Sequence, residues 1–259
     1  MRESSSREDN PNDPSKAQPL IEHLTELRDR LIKAAWGILA MTIVCWVFNT
    51  QLFDIIRQPI APYLDSGGLV FTHPIDKFMA HLKVSLLGGV VLACPLWVYQ
   101  AWKFVAPGLY SHEKRYGLIF ISAGSVLFLV GVCFAYFLVL PAAFNFLLHF
   151  GGTVDKPMIT ISEYLSFFIS IVLVFGISFE LPLVIVILGA MGFVDQKFLR
   201  EKRRYVVVGM SIVAAIVTPP DLLSMVMLLG PLWILYEISI LLVGVFARRR
   251  QVASQLRDS

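Results

Sequence analysis

Between residues 31 and 246 the chain is a succession of long apolar runs separated by short polar stretches, and no other feature restricts its fold as much. Hydrocarbon offers no partner to a backbone N–H or C=O, so runs of this length are predicted to be membrane-spanning α-helices. Six segments follow the pattern, at about 31–48, 78–102, 116–140, 161–191, 205–217 and 222–246. The third is expected to stop at Pro141, and the fourth is interrupted by Glu180 and Pro182. The fifth, residues 205–217, is short. Its helix would rise about 20 Å against roughly 30 Å of hydrocarbon. The bilayer beside the fifth and sixth segments is therefore expected to be thin. Composition agrees: of 259 residues, 56% are hydrophobic and 16% charged, with a mean hydropathy of +0.69. A soluble domain of this length has no interior large enough for that apolar surface, and the predicted class is an all-α polytopic membrane protein.

Residues 1–19 are rich in Ser, Asp, Asn, Pro and Arg, and a disordered tail is expected there. A membrane domain over 20–246 and a second tail over 247–259 complete the expected organisation. No secretory signal is read at the start, because charged residues continue to Arg30 before any apolar core begins. Over 20–33, Leu20, Leu24, Leu27 and Leu31 recur at spacings of three and four among charged residues. This predicts an N-terminal amphipathic helix at the interface, running into the first span. Basic residues collect before the first span, around Lys103, Lys114 and Arg115, between Lys197 and Arg204, and at Arg248, Arg249 and Arg250. The opposite connections hold Arg57, Lys77 and Lys156. The positive-inside rule then places both termini in the cytoplasm.

Several classes of function are excluded on the same grounds. The net charge of +3, spread between apolar segments, argues against a nucleic-acid partner. Cys45, Cys94 and Cys133 each sit within an apolar run and read as small buried hydrophobes, implying neither a disulfide nor a metal site. No HExxH, GxSxG, P-loop or dinucleotide fingerprint is present, so an enzyme is not expected. Any work of transport would draw on an external gradient or on partner proteins.

Four acids stand out. Glu113 lies in the polar island 107–115, where Pro107 and Gly108 break the helix and Ser111 can cap the next one. In a first helical turn it is either an acid favoured by the helix dipole, paired with Lys114 or Arg115, or a binding group at the membrane surface. Glu180 lies within a span, at a cost of about 2.5 to 3.5 kcal/mol, and so is expected to face a cavity or a partner. The alternative is a protonated Glu180 that satisfies backbone groups freed by Pro182. Glu237, in the cytoplasmic third of its span, reads as a packing or interface acid. Asp221 reads most simply as the cap of the sixth helix.

Residues 23–31 (HLTELRDRL), 104–115 (FVAPGLYSHEKR), 175–182 (FGISFELP) and 218–221 (TPPD) together resemble the TatC family of the twin-arginine protein translocase. The match runs in order from residue 20 to about 246. The resemblance implies a six-helix, glove-shaped protein of the bacterial inner membrane with cytoplasmic termini and no cofactor. It implies a receptor for the twin-arginine signal peptides of folded cargo, driven by the proton-motive force. Single-span TatB-like and TatA-like subunits are the implied partners, in a hetero-complex that holds several copies of the chain.

By the same resemblance Glu26 and Glu113 are the arginine-binding acids, Leu24, Phe104 and Tyr110 shape their site, and Arg28 and Arg30 hold the amphipathic helix and its acids in place. A carboxylate accepts two parallel hydrogen bonds from a guanidinium fork, which lysine cannot supply. Glu180 is implied in the concave membrane face, and the fifth and sixth helices, with Asp221, Met225 and Glu237, in partner docking. Family members commonly carry glutamine after the Pro-Pro-Asp; this chain has Ser224 and Met225, and Met225 packs adaptably but lacks the amide. The rival readings are a secondary transporter with Glu180 as coupling carboxylate, for which no internal repeat is visible, and a scaffold without a specific ligand.

Overall fold

Where the sequence alternates apolar runs with helix breakers, the chain alternates long helices with tight turns. The structure, a computed structural model, describes residues 14–64, 68–106, 117–149, 158–217 and 222–258. In order these form α1 (Pro14–Val47), α2 (Asn49–Arg57), α3 (Asp76–Leu92), α4 (Cys94–Val105), α5 (Gly117–Phe134) and α6 (Leu140–His149). There follow α7 (Ile161–Ser178), α8 (Leu181–Ala190), α9 (Gln196–Glu201), α10 (Arg203–Val217) and α11 (Leu222–Asp258). Among the described residues the only extended pairing is one isolated parallel bridge, with Val70 N donating to Ile159 O at 3.0 Å and Ile161 N to Val70 O at 2.8 Å. It ties the connection before α3 to the one before α7.

Three helical stretches, Glu22–Val47, Gly117–His149 and Ile161–Gly189, are long and apolar enough to cross a membrane, and α3 with α4 forms a fourth, bent by 55°. The short α10 and the apolar part of α11, Leu229–Val245, complete the six expected segments. Many large apolar side chains, among them Trp36, Leu118, Phe137 and Ile216, point outward, as a lipid-facing surface requires.

Three details differ from the sequence reading. The amphipathic stretch runs into the first span as expected, in one helix with Leu24, Leu27 and Leu31 63%, 41% and 68% exposed, but the helix starts early. That helix begins at Pro14, within the stretch read as a tail, and α11 continues to Asp258 through the other. The second span bends at Ala93, which ends α3 and precedes α4, because Pro95 in the first turn of α4 has no N–H to continue the ladder. Trp97 Nε1 reaches back across this break to Val90 O at 3.1 Å. The third span does not stop at Pro141. A π-turn at Ala135–Val139 widens the helix just before the proline, with Leu140 N donating to Ala135 O, and the helix runs on to His149. The extra residue in that turn accommodates the ring and its missing donor. The fourth span breaks at Phe179 and Glu180, as expected, with Pro182 in the first turn of α8.

Small residues let these helices approach closely. A Cβ placed on Gly89 would fall 2.2 Å from Thr42 Oγ1 and 2.7 Å from Thr42 N, so α3 lies directly against the backbone of α1. On Gly131 it would fall 2.7 Å from Phe175 O, where α5 meets α7. Phe128, Leu140, Leu165 and Phe175 are fully buried between these elements. Two tyrosines serve carbonyls in the last turn of α2: Tyr136 donates to Ile55 O at 2.8 Å, which Gln58 N also reaches at 3.1 Å, and the buried Tyr164 donates to Ile56 O. At the other end Tyr236 of α11 donates to Leu199 O of α9 at 2.7 Å.

Three outcomes test this packing. Gly89→Val should destabilise the purified protein by about 1 to 3 kcal/mol, since backbone cannot yield as a side chain can. Gly209→Ala, where a Cβ meets nothing within 4 Å, should be neutral or slightly stabilising in the same thermal-melt assay. Tyr164→Phe, which strands the Ile56 carbonyl, should cost about 1 to 3 kcal/mol.

Candidate functional site

The acid that the sequence marks on α1 is already engaged. Glu26 Oε1 accepts from Arg30 Nη2 at 3.1 Å, one helical turn on, and the two side chains are 32% and 23% exposed. Arg28 turns to Asp29 instead, also at 3.1 Å, in a pair open to solvent. Three residues before Glu26, and so on the same helix face, His23 stacks on Phe104 with ring centroids 4.3 Å apart and planes 19° from parallel. The structure thus brings the α1 acid and Phe104, 78 residues apart by number (104 − 26), to one end of the molecule. Leu24 is close by on α1 and exposed.

Trp102 closes this end from the other side. It stacks on Phe120 of α5 at 4.8 Å, and a Cβ on Gly117 would fall 2.5 Å from its Nε1. The last turn of α4 and the first turn of α5 are therefore held together, and they are the two ends from which residues 107–116 depart. Tyr110 and Glu113 lie outside the described residues, as does Asp221.

Glu180 sits in the break between α7 and α8. Its N–H donates to Ile177 O and its carbonyl accepts from Val184 N, both at 3.0 Å. A Cβ on Gly124 of α5 would fall 3.1 Å from Glu180 Oε2 and 3.0 Å from both Val98 Cγ1 and Leu183 Cδ2, so glycine makes room for the carboxyl between α4, α5 and α8. Glu180 Oε1 is buried and bonded to nothing. That oxygen therefore does not serve the backbone groups freed by Pro182.

Glu237 accepts from Arg203 Nη2 at 2.6 Å, joining α11 to the start of α10, while its Oε1 is buried without a partner. The long-range partner explains this acid as a clamp on the short fifth helix. Met225 is half-buried and packs against the main core. Sequence reasoning missed the His23–Phe104 stack and the Arg203–Glu237 pair, because neither has a local signal. The spacing of Glu26 and Arg30 is one that helices use for ion pairs, and it was visible in the sequence.

Comparison with known proteins places this arrangement. The family model for the Sec-independent protein translocase protein TatC matches residues 22–231. The Sec-independent protein translocase protein TatC of Desulforapulum autotrophicum is 40% identical over 233 residues, covering 90% of this chain and 86% of that protein. Its counterpart in Escherichia coli K12 is 36% identical over 233 residues, covering 90% and 88%. A crystal structure of the twin arginine translocase receptor TatC superposes with a TM-score of 0.78 at 36% identity, covering 86% of this chain and 98% of that one. With the family model spanning most of the chain and the helical arrangement shared, the chain belongs to the TatC family of Sec-independent protein translocases, membrane transport subunits rather than enzymes.

Proposed function

We propose that this chain is the signal-peptide receptor and core subunit of its translocase. In this reading Glu26 and Glu113 take the two arginines of a twin-arginine signal peptide, at the cytoplasmic surface of a bacterial inner membrane. The observation that carries the reading is Glu26 one turn from the His23–Phe104 stack, its carboxylate engaged among the described residues by one weak contact within its own helix. A guanidinium fork suits such an acid better than an ammonium does. Leu24, Phe104 and Tyr110 supply apolar and aromatic surface around the arginines. The name of the superposed crystal structure, a twin arginine translocase receptor, supports the same assignment.

Glu180, with a buried oxygen that lacks a partner, suits a contact with the hydrophobic part of the peptide or with a partner helix that arrives later. Single-span TatB-like and TatA-like subunits are the partners of α10 and α11, where Asp221, Met225 and Glu237 lie, and several copies of the chain assemble with them. Export of folded cargo draws on the proton-motive force. Residues 20–246 form the membrane domain, with both termini cytoplasmic. Membership of a protein-translocase family leaves the secondary-transporter reading without support.

A photo-crosslinker placed beside Phe104 should capture a twin-arginine signal peptide in preference to its twin-lysine version. Glu26→Ala and Glu113→Ala should each weaken capture roughly ten- to a hundredfold. Equal capture of both peptides, unaffected by either substitution, would remove the reading. For Glu180, replacement by Leu should preserve or raise thermal stability, by about 1 to 3 kcal/mol, since it removes a buried acid without a partner. Export of a folded twin-arginine substrate should nevertheless fall; undiminished export would leave Glu180 without a role in binding.

A further inference from the structure

We propose that Arg30 is a built-in competitor for Glu26, a guanidinium that holds the carboxylate while the site is empty and yields it to the incoming arginine. The inference rests on the receptor reading above. His23, Glu26 and Arg30 share one face of α1, the face that meets α4 through the His23–Phe104 stack. Arg30 reaches Glu26 Oε1 through Nη2 alone, at 3.1 Å, and no described residue engages Oε2. The other cations of this stretch are not competitors: Arg28 is occupied by Asp29, and Lys33 makes no ion pair among the described residues.

The contact is built to be given up. Arg30 Nε is buried and bonded to nothing, so this guanidinium is satisfied at one end only. A single-point ion pair between residues four apart on a partly exposed helix is weak. A free guanidinium that approaches with both forks makes two parallel bonds to the same carboxylate, and displaces the resident one. Arg30 therefore lowers the affinity of the site without closing it. On release it remains one turn away and takes the carboxylate back, so the empty receptor never presents a bare acid to other cations.

A residue that merely positions Glu26 would have the opposite effect on removal. In native membrane vesicles holding the full chain and its partner subunits, binding of a twin-arginine signal peptide should be about two- to fivefold tighter for Arg30→Gln than for wild type. Lys33→Gln, which removes the same charge from the same helix, should bind as wild type does. Arg30→Lys, which restores a cation at the position, should return affinity toward the wild-type value. Glu26→Gln should weaken binding, and adding Arg30→Gln to it should change nothing further. Weaker or unchanged binding in Arg30→Gln, with Glu26→Gln still weakened, would overturn the proposal while sparing the receptor reading. Unchanged binding in Glu26→Gln itself would overturn both.

Discussion

A backbone surrounded by hydrocarbon has to find its hydrogen-bond partners within the protein, and that demand shapes every irregularity in this fold. At several irregularities in the spans, a group that a regular helix would pair is met in another way. Pro95 interrupts the second span, and the Trp97 indole reaches back to the Val90 carbonyl. Pro141 would interrupt the third, and a π-turn ahead of it lets the helix continue. Carbonyls in the last turn of α2 are served by Tyr136 and Tyr164 from distant helices. The breaks are tolerated because the repair comes from elsewhere in the chain.

Glu180 and Glu237 show the same rule from the side-chain direction. Both carry a buried oxygen without a partner, but Glu237 spends its other oxygen on Arg203 and so ties α10 to α11. Glu180 has no such cation among the described residues, and a glycine at 124 opens the space beside it. One acid is tied into the fold by a cation; the other is held in space that a glycine provides. Glu26 differs again. It sits where water can reach it, and its ion pair is local and weak.

Part of the fold, and the candidate residues themselves, are legible in the sequence, and the reason is local. The Glu26–Arg30 spacing, the helix-breaking sequence at Pro107 and Gly108, and an acid beside Pro182 are all features of a few consecutive residues. The failures are equally instructive. Pro141 was read as a stop because a proline ordinarily ends a helix, but the π-turn that rescues it depends on packing between α5, α6 and α7 rather than on the dipeptide itself. Helix α1 likewise begins at Pro14, inside the stretch that composition marks as a tail.

By itself the sequence determined the class, the number of apolar segments, the break at Glu180 and Pro182 and the acids worth attention, because hydrophobicity, proline and charge act within a few residues of where they occur. Tertiary structure alone decided which of those acids are already spoken for. The stack of His23 on Phe104, the clamp of Arg203 on Glu237 and the space that Gly124 leaves beside Glu180 join residues that are far apart in the chain. Such contacts depend on how closely the helices pack, which glycines such as Gly89 and Gly131 permit but only the assembled fold sets.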